Sequence, residues 1–425
     1  GRRQVPMTEY ERRRRAVEAL QAGATPTEIG SRLGRSRAWV YTTKARYQSG
    51  GLAALNDRSR APHLSPQETA PGMVKRILAV RRRLMKPGRN RGFSGVGADV
   101  IAWELHLAGC KDIPAPRTIE RIVARAGLTG RARPRRTHKD PRPYPAPTAR
   151  QAGDVQQSDI VGPRHIATRK GPLRLFSYST VDVCGGGIAC WQSPERSAAA
   201  YCTYLVEHAW ARLGVPRVWQ VDNEMVLAGF PRRPQAFTAP VRLALFLGAE
   251  VCFIPQGEPG RQAHVESFNA LWQERVLRRF RFSTLSSLRA KSERFERWFM
   301  EERPHPQLRA KDHGTLYPAV LLASMDGHIR RLPKGFSLEP FREPDGRLKI
   351  PLARGRVTWI RLVSENGGID IGGKRFPVGA RYANQYVTAT LSTSRRTVTV
   401  KLGARVVKRF PFPLTERVVQ PVLQR

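Results

Sequence analysis

The sequence predicts a multidomain chain: helical units first, then a mixed α/β layer, then a small antiparallel β module. Three observations predict it. Helix-capping signals recur up to residue 128, strand-like and helix-like runs alternate from 151 onward, and Asn-Gly and Gly-Gly turns separate short alternating runs beyond 356. The 425 residues suffice for roughly two to four domains.

In residues 8–22 (TEYERRRRAVEALQA) polar and apolar positions alternate at helical spacing, and Thr8 with Glu11 has the form of a capping box. Thr25 and Pro26 open a second helix ending at Leu33; Gly34 breaks it and Ser36 can cap a third, RAWVYTTKARYQ. Two short helices across a tight glycine turn read as a helix-turn-helix within 1–62. Ile29, Leu33 and Val40 would be its core, and Arg37, Tyr41, Thr42 and Lys44 would face a DNA groove or phosphates. A helical bundle with a solvated charged face stays open on the pattern alone. Residues 73–128 repeat the theme, with Arg117, Thr118 and Arg121 on the candidate reading helix. Residues 129–150 hold five prolines and seven Lys or Arg, which predicts an extended basic linker.

From 151 to 331 strands and helices mix. DVQQSDIVG, LRLFSYSTVDV and GGIACWQ read as strands, SAAAYCTYLVEHAWARLG as a helix, RVWQVD as a strand, APVRLALFLG as a helix and AEVCFIP as a strand. EPGRQAHVESFNALWQERVLRRF closes this layer as a long amphipathic helix, with Val265, Phe268, Trp272 and Val276 on its packed face. A basic helical extension follows. Residues 336–414 alternate like a small β-barrel or sandwich, with hairpin turns at Asn366-Gly367 and Gly372-Gly373.

The formal charge is +40, from 74 Lys plus Arg against 34 Asp plus Glu, an excess that makes sense with a polyanionic partner. It is uneven: residues 1–62 carry 13 basic and 5 acidic side chains, whereas 151–270 carry 11 and 10. The flanks look built to hold nucleic acid and the centre to do chemistry. No uninterrupted apolar run of about 18 residues predicts a membrane span, and the first residues lack the apolar middle of a signal peptide. Five cysteines without a CxxC pair read as reduced thiols of a cytoplasmic protein.

That chemistry rests on three acids: Asp159 in VQQSDIVG, Asp222 in VWQVDNE and Glu266 in QAHVESFN. Two follow apolar strand-like runs and the third opens a helix, so a fold can converge them. Three carboxylates without thiolate or imidazole suit hard cations such as Mg²⁺, and paired Mg²⁺ ions support in-line attack on a phosphodiester. Singly, an Asp after a strand is more often a turn residue or helix cap, and a Glu on a helix is usually solvated. Asp154 and Asp182 are assigned to structure. Glu224 is assigned to a loop, with an auxiliary ligand role as the alternative.

In these contexts, and in FMEERPHPQLRAKDHGTLYPA downstream, the chain resembles the integrase and transposase enzymes that carry a DDE triad on a ribonuclease H-like fold, most nearly the bacterial insertion-sequence type. The resemblance implies a five-stranded mixed sheet, with Asp159, Asp222 and Glu266 as catalytic ligands of two Mg²⁺ ions, Mn²⁺ being a substitute. It implies cleavage at transposon ends to a 3′-OH, and attack of that 3′-OH on target DNA. Double-stranded DNA and further copies of the chain would be its partners. A helper ATPase is left open, and a bacterial, nucleoid-associated location is implied. Arg261, before Glu266, would touch DNA, and Gln262 and Asn269, four before and three after Glu266, would touch DNA or steady a carboxylate.

Two departures from the family pattern stand out. Forty-three residues separate Asp222 from Glu266, a long gap that an insertion at VLAGFPRRPQAF accounts for, and Glu258 is the alternative third acid. No His/His/Cys/Cys module occurs, so no structural zinc is expected. The rival readings are a non-enzymatic DNA-binding regulator, including an inactive domesticated transposase, and a nuclease that cuts without joining.

Overall fold

In the computed structural model, residues 7–58, 68–86, 92–129, 142–169, 171–229, 236–303 and 317–423 are described. Most of the basic linker, the centre of the VLAGFPRRPQAF insertion and most of the segment after residue 303 therefore lie outside the described residues. The chain divides into two compact units, Gly1–Ala70 and Pro71–Arg425.

The first unit holds α1 (Glu9–Gln21), α2 (Pro26–Leu33) and α3 (Arg37–Gly50). Capping boxes at Thr8/Glu11 and Thr25/Glu28 satisfy the first amides of α1 and α2, and the Ser36 side chain caps α3. Gly34 ends α2 in the left-handed region at φ 62°, and a Cβ on Gly30 would lie 2.7 Å from the Arg35 carbonyl oxygen. The tight α2–α3 turn thus needs both glycines. Ala16, Ala19, Ile29 and Val40 form the small core.

The second unit begins with α4 (Pro71–Met85), α5 (Ala98–Leu107) and α6 (Pro116–Arg125). They pack through Ile77, Leu84, Ile101, Leu105, Ile119 and Val123. The buried Arg81 guanidinium donates to the carbonyls of Val96 and Leu128, pinning the ends of this bundle together.

The sheet follows. Its strands are β1 (Val155–Thr168), β2 (Gly171–Asp182), β3 (Ile188–Ser193), β4 (Val218–Val221) and β5 (Glu250–Phe253). β1 to β3 pair antiparallel, while β1, β4 and β5 run parallel in the order β3-β2-β1-β4-β5, which is the predicted five-stranded mixed sheet. Successive residues of β2 and β3 feed opposite layers, as side-chain alternation requires. Phe176, Tyr178 and Ala189 join one core with α7 (Ala198–Tyr204), α8 (Trp210–Leu213) and, beyond α9 (Met225–Ala228), α10 (Ala239–Phe246). Leu175, Val181, Ile188 and Cys190 join the other core with α11 (Ala263–Trp272) and α12 (Leu285–Arg297).

After α13 (Pro318–Ser324) the C-terminal strands are β6 (Arg356–Leu362), β7 (Gly368–Ile371), β8 (Lys374–Pro377), β9 (Tyr386–Ser392), β10 (Thr397–Leu402) and β11 (Arg405–Pro411). They are antiparallel, as the alternation predicts, but they do not stand apart from the core. β6 lies parallel to β5 with Val251 opposite Val357, so one nine-stranded sheet runs β11-β10-β9-β6-β5-β4-β1-β2-β3. The join has a physical cause. β5 would otherwise present an open ladder edge, and Trp359 stacks on Phe253 at 5.9 Å across it. Among the described residues, no helix is long and apolar enough to cross a membrane.

Candidate active site

Asp159 lies on β1, and Asp222 is the first residue after β4. Gln157 of β1 stands opposite Gln220 of β4 in parallel register. Two residues further along both strands come Asp159 and Asp222, on the same face by the period-two rule. Glu266 sits in the first turn of α11, and Asn269, one helical turn later, donates to Asp159 Oδ2 at 2.7 Å.

Three glutamines fix this geometry. Gln157 Nε2 donates to Gln220 Oε1 at 3.0 Å, and Gln157 Oε1 accepts from the backbone N–H groups of His264 and Val265 at 3.2 and 3.3 Å. A strand side chain thereby supplies the partner that the first amides of α11 lack from their own turn. Gln262 is 3% exposed, and its Nε2 donates to the carbonyls of Ser158 and Gln220, bridging the two strands next to the two acids. Sequence reasoning missed Gln157 and Gln220. The signal was two glutamines placed alike, two residues before each aspartate, in runs otherwise read as apolar.

The electrostatics bind the acids together. Burial, then the charges of Glu224 and Glu266, push the Asp159 carboxyl up to about 6, against lowering hydrogen bonds from the Ile160 backbone and Asn269. Burial, then Glu224 and Asp159, push Asp222 up to about 7, opposed by the Glu224 backbone N–H and Arg196. Asp159 therefore senses Glu224 and Glu266, and Asp222 senses Glu224 and Asp159. Glu224, assigned to a loop from sequence, proves the strongest charged neighbour of both. Its Oε1 pairs with Arg196 at 2.6 Å, while its buried Oε2 accepts no hydrogen bond.

The neighbours divide in the same way. Asp182 accepts from the backbone N–H groups of Gly153 and Gly185 at 2.7 and 2.6 Å, and Asp154 accepts from those of Arg150 and Gln151, so both hold turns. Glu258 is occupied by Arg261 Nε at 2.9 Å and by the Tyr386 hydroxyl at 2.7 Å. Of the two roles expected for Gln262 and Asn269, touching DNA or steadying a carboxylate, Asn269 takes the second, on Asp159; both are at most 5% exposed, and Gln262 is spent on the scaffold. Arg261 is engaged by Glu258 and Tyr386. Trp272 is core, with its indole N–H on Ser292.

On the helical units the candidate DNA residues are exposed, except Thr118, which is half-buried. Tyr41 is 47% exposed with the Arg37 guanidinium 5.6 Å from its ring, and Thr42 and Lys44 lie on the same open stretch of α3. On α6, Arg117 pairs with Glu120 at 3.2 Å and Arg121 reaches the hydroxyl of Thr118 at 3.3 Å.

Among the described residues, no group of three or more His, Cys, Asp or Glu is arranged to hold a metal ion. The donor chemistry nevertheless fits a hard divalent cation: carboxylate oxygens alone, two half-buried acids with raised pKa and an orphaned Glu224 oxygen.

Two family models match. A homeodomain-like domain covers residues 7–56 and an integrase core domain covers residues 247–311, the latter including Glu266 but neither aspartate. No curated protein matches the chain. Among solved structures, a simian T-cell lymphotropic virus intasome in complex with PP2A regulatory subunit B56 gamma is 15% identical, with 75% of this chain and 99% of that one covered at a TM-score of 0.33. The HTLV-2 integrase catalytic core domain in complex with magnesium is 12% identical over 40% of this chain and 96% of that one, TM-score 0.29. The BIV integrase catalytic core domain is 15% identical over 41% and 98%, TM-score 0.28. The homeodomain-like and integrase-core segments, with a mixed five-stranded core sheet between and around them, support a place for the chain among transposases and integrases.

Proposed function

We propose that the chain is a DNA transposase that cleaves transposon ends to a 3′-OH and transfers that end into target DNA, with Asp159, Asp222 and Glu266 as its catalytic carboxylates. The observation that carries this reading is the parallel pairing of β1 with β4, which brings Asp159 on β1 next to Asp222 just past the end of β4, with Asn269 of the Glu266 helix donating to Asp159.

In the first step water attacks phosphorus at the transposon end. The bond to the bridging 3′ oxygen breaks, and that oxygen leaves to become the 3′-OH once protonated. In the second, this 3′-OH attacks a target phosphorus and displaces the target's own 3′ oxygen. The first step is hydrolysis, with water as co-substrate; in the second, one phosphodiester forms for the one broken, so no nucleotide cofactor is consumed. Divalent cations, Mg²⁺ or Mn²⁺, held by Asp159, Asp222 and Glu266, would activate the attacking oxygen and neutralise the leaving one. Asn269 fixes the Asp159 carboxylate, and the Glu224 backbone N–H fixes Asp222 at 3.1 Å. Arg37, Tyr41, Thr42 and Lys44 on α3, and Arg117, Thr118 and Arg121 on α6, would hold DNA through phosphates and base edges. Joining paired ends calls for more than one copy of the chain.

The test is incubation with labelled terminal DNA, a target plasmid and Mg²⁺, repeated with Asp222→Asn. Joined products that vanish in the variant support the transposase. Nicking without joining points to a nuclease, and binding without nicking by the wild type points to the non-enzymatic regulator.

A further inference from the structure

The C-terminal strands reach the two loops that carry Asp222 and lead to Glu266, through the side chains of Arg361 and Tyr386. The Arg361 guanidinium, on β6, belongs to a residue only 6% exposed. It donates to Asn223 Oδ1 at 2.8 Å and to the carbonyl of Ile254 at 3.0 Å, and Asn223 Nδ2 donates to the same Ile254 carbonyl at 2.7 Å. Asn223 follows Asp222 directly, and Ile254 opens the loop that runs to α11. One buried cation therefore ties both acid-bearing segments together.

A second tie lies further along that loop. Tyr386, the first residue of β9, donates its hydroxyl to Glu258 at 2.7 Å and accepts from Arg261 Nη2 at 3.0 Å, while Arg261 Nε donates to Glu258 at 2.9 Å. The Arg261 guanidinium lies 4.2 Å from the ring centroid of Tyr144, which meets Tyr386 edge-on at 5.5 Å. Arg261 is also the residue before Gln262, which pins the start of the helix to β1 and β4. The chain from Tyr386 to Glu266 is thus continuous in hydrogen bonds and covalent backbone.

We infer that the C-terminal β module positions the catalytic acids, with Arg361 holding the Asp222 loop and Tyr386 holding the loop that leads to Glu266. This rests on the proposed strand-transfer reading, and both residues are positioning rather than catalytic. Small displacements of reacting groups are expensive, about a hundredfold in rate for 1 Å. Loosening either tie should therefore slow the chemistry without weakening the hold on DNA.

The experiment compares wild type, Tyr386→Phe, Arg361→Lys, Glu258→Ala and Glu258→Gln as full chains. Cleavage rate at saturating terminal DNA, the Kd for that DNA and hydrogen exchange of residues 222–228 and 254–266 are measured. Expected are a fall in rate of about tenfold or more, an unchanged Kd, and faster exchange in these two segments with β1 unaffected. Glu258→Gln, which can still accept the Tyr386 hydroxyl, should regain loop protection that Glu258→Ala loses. Wild-type exchange in both segments of Tyr386→Phe, or a rate loss matched by an equal loss of DNA affinity, overturns the inference. Arg361→Lys can fail to fold because its site is buried; the Tyr386 and Glu258 variants then decide. Asp222→Asn separates the two readings. If it keeps joining activity, the proposed function fails, while the exchange results still report on the ties.

Discussion

Two of the three acids are placed by a ladder and the third by side chains, and the difference explains how the site is built. Asp159 and Asp222 owe their proximity to parallel pairing of β1 with β4, in which Gln157 stands opposite Gln220. A one-residue slip of either strand would turn its aspartate to the other face, so the packed core on each side of the sheet enforces their placement. Glu266 has no such ladder. Its helix is held by Gln157 at its first amides, by Gln262 across both strands and by Asn269 on Asp159. The backbone sets the aspartate pair, whereas Glu266 depends on polar contacts that single substitutions can remove.

The sharpest break is on the ladder side. Asp222→Asn leaves the β4 pairing intact and removes one charge, so folding should survive while joining falls by at least about 10²–10³-fold, the usual cost of losing one preorganised charge-stabilising group. Gel quantification of joined product checks this. A variant with near wild-type joining would remove Asp222 from the chemistry. On the other side, Gln262→Ala should act first on stability. It strands the buried carbonyls of Ser158 and Gln220, at about 1–3 kcal/mol for each group left unpaired. Urea unfolding should show that loss, and cleavage should fall with it as Glu266 drifts.

What the sequence made legible follows the same division. The five core strands, the capped helices and the three acids each carry a local signal: a period, a cap or an acid after an apolar run. Thr25 with Glu28 closes as a capping box, and Val265, Phe268 and Trp272 are buried together on α11. The attachment of β6 to β5 left no such trace, because pairing partners distant in sequence are chosen by edge geometry and by contacts such as Phe253 with Trp359. For Gln262 and Asn269 two roles stayed open, because nothing local tells an amide that faces DNA from one that pins a strand or steadies a carboxylate. The weight of Glu224 was hidden for a related reason: its influence on Asp159 and Asp222 is a matter of shared burial, not of motif.

The aspartate pair also makes stability depend on pH. Both carboxyls stand well above the ordinary 3.8, at about 6 and about 7, because folding buries them beside other acids. Their protonated forms favour the folded state, so the stability they contribute is full below about pH 4 and is lost as pH rises through 6 and 7. Without divalent cation, Asp222→Asn should melt at the wild-type temperature near pH 4 and higher than wild type near pH 8, by a few degrees. Calorimetry in chelator-treated buffer measures it. Equal melting temperatures at both pH values would mean that Asp222 bears no such strain.

The smallest effect is on the joint between the two sides. Asn269 donates to Asp159 from the helix of Glu266 and so favours the ionised carboxylate. Asn269→Ala removes that donor and raises the Asp159 pKa further above about 6. If the ionised form is the active one, the acidic limb of the cleavage pH profile should move to higher pH by roughly 0.5–1 unit, the equivalent of one net hydrogen bond. At pH 8, above the displaced limb, the rate should differ little from wild type if Asn269 serves only the charge on Asp159. A lower rate at every pH with an unmoved limb would instead mean that Asn269 holds Glu266 in register. The joint would then belong to the side-chain half of the site, and the ladder would set Asp159 without help.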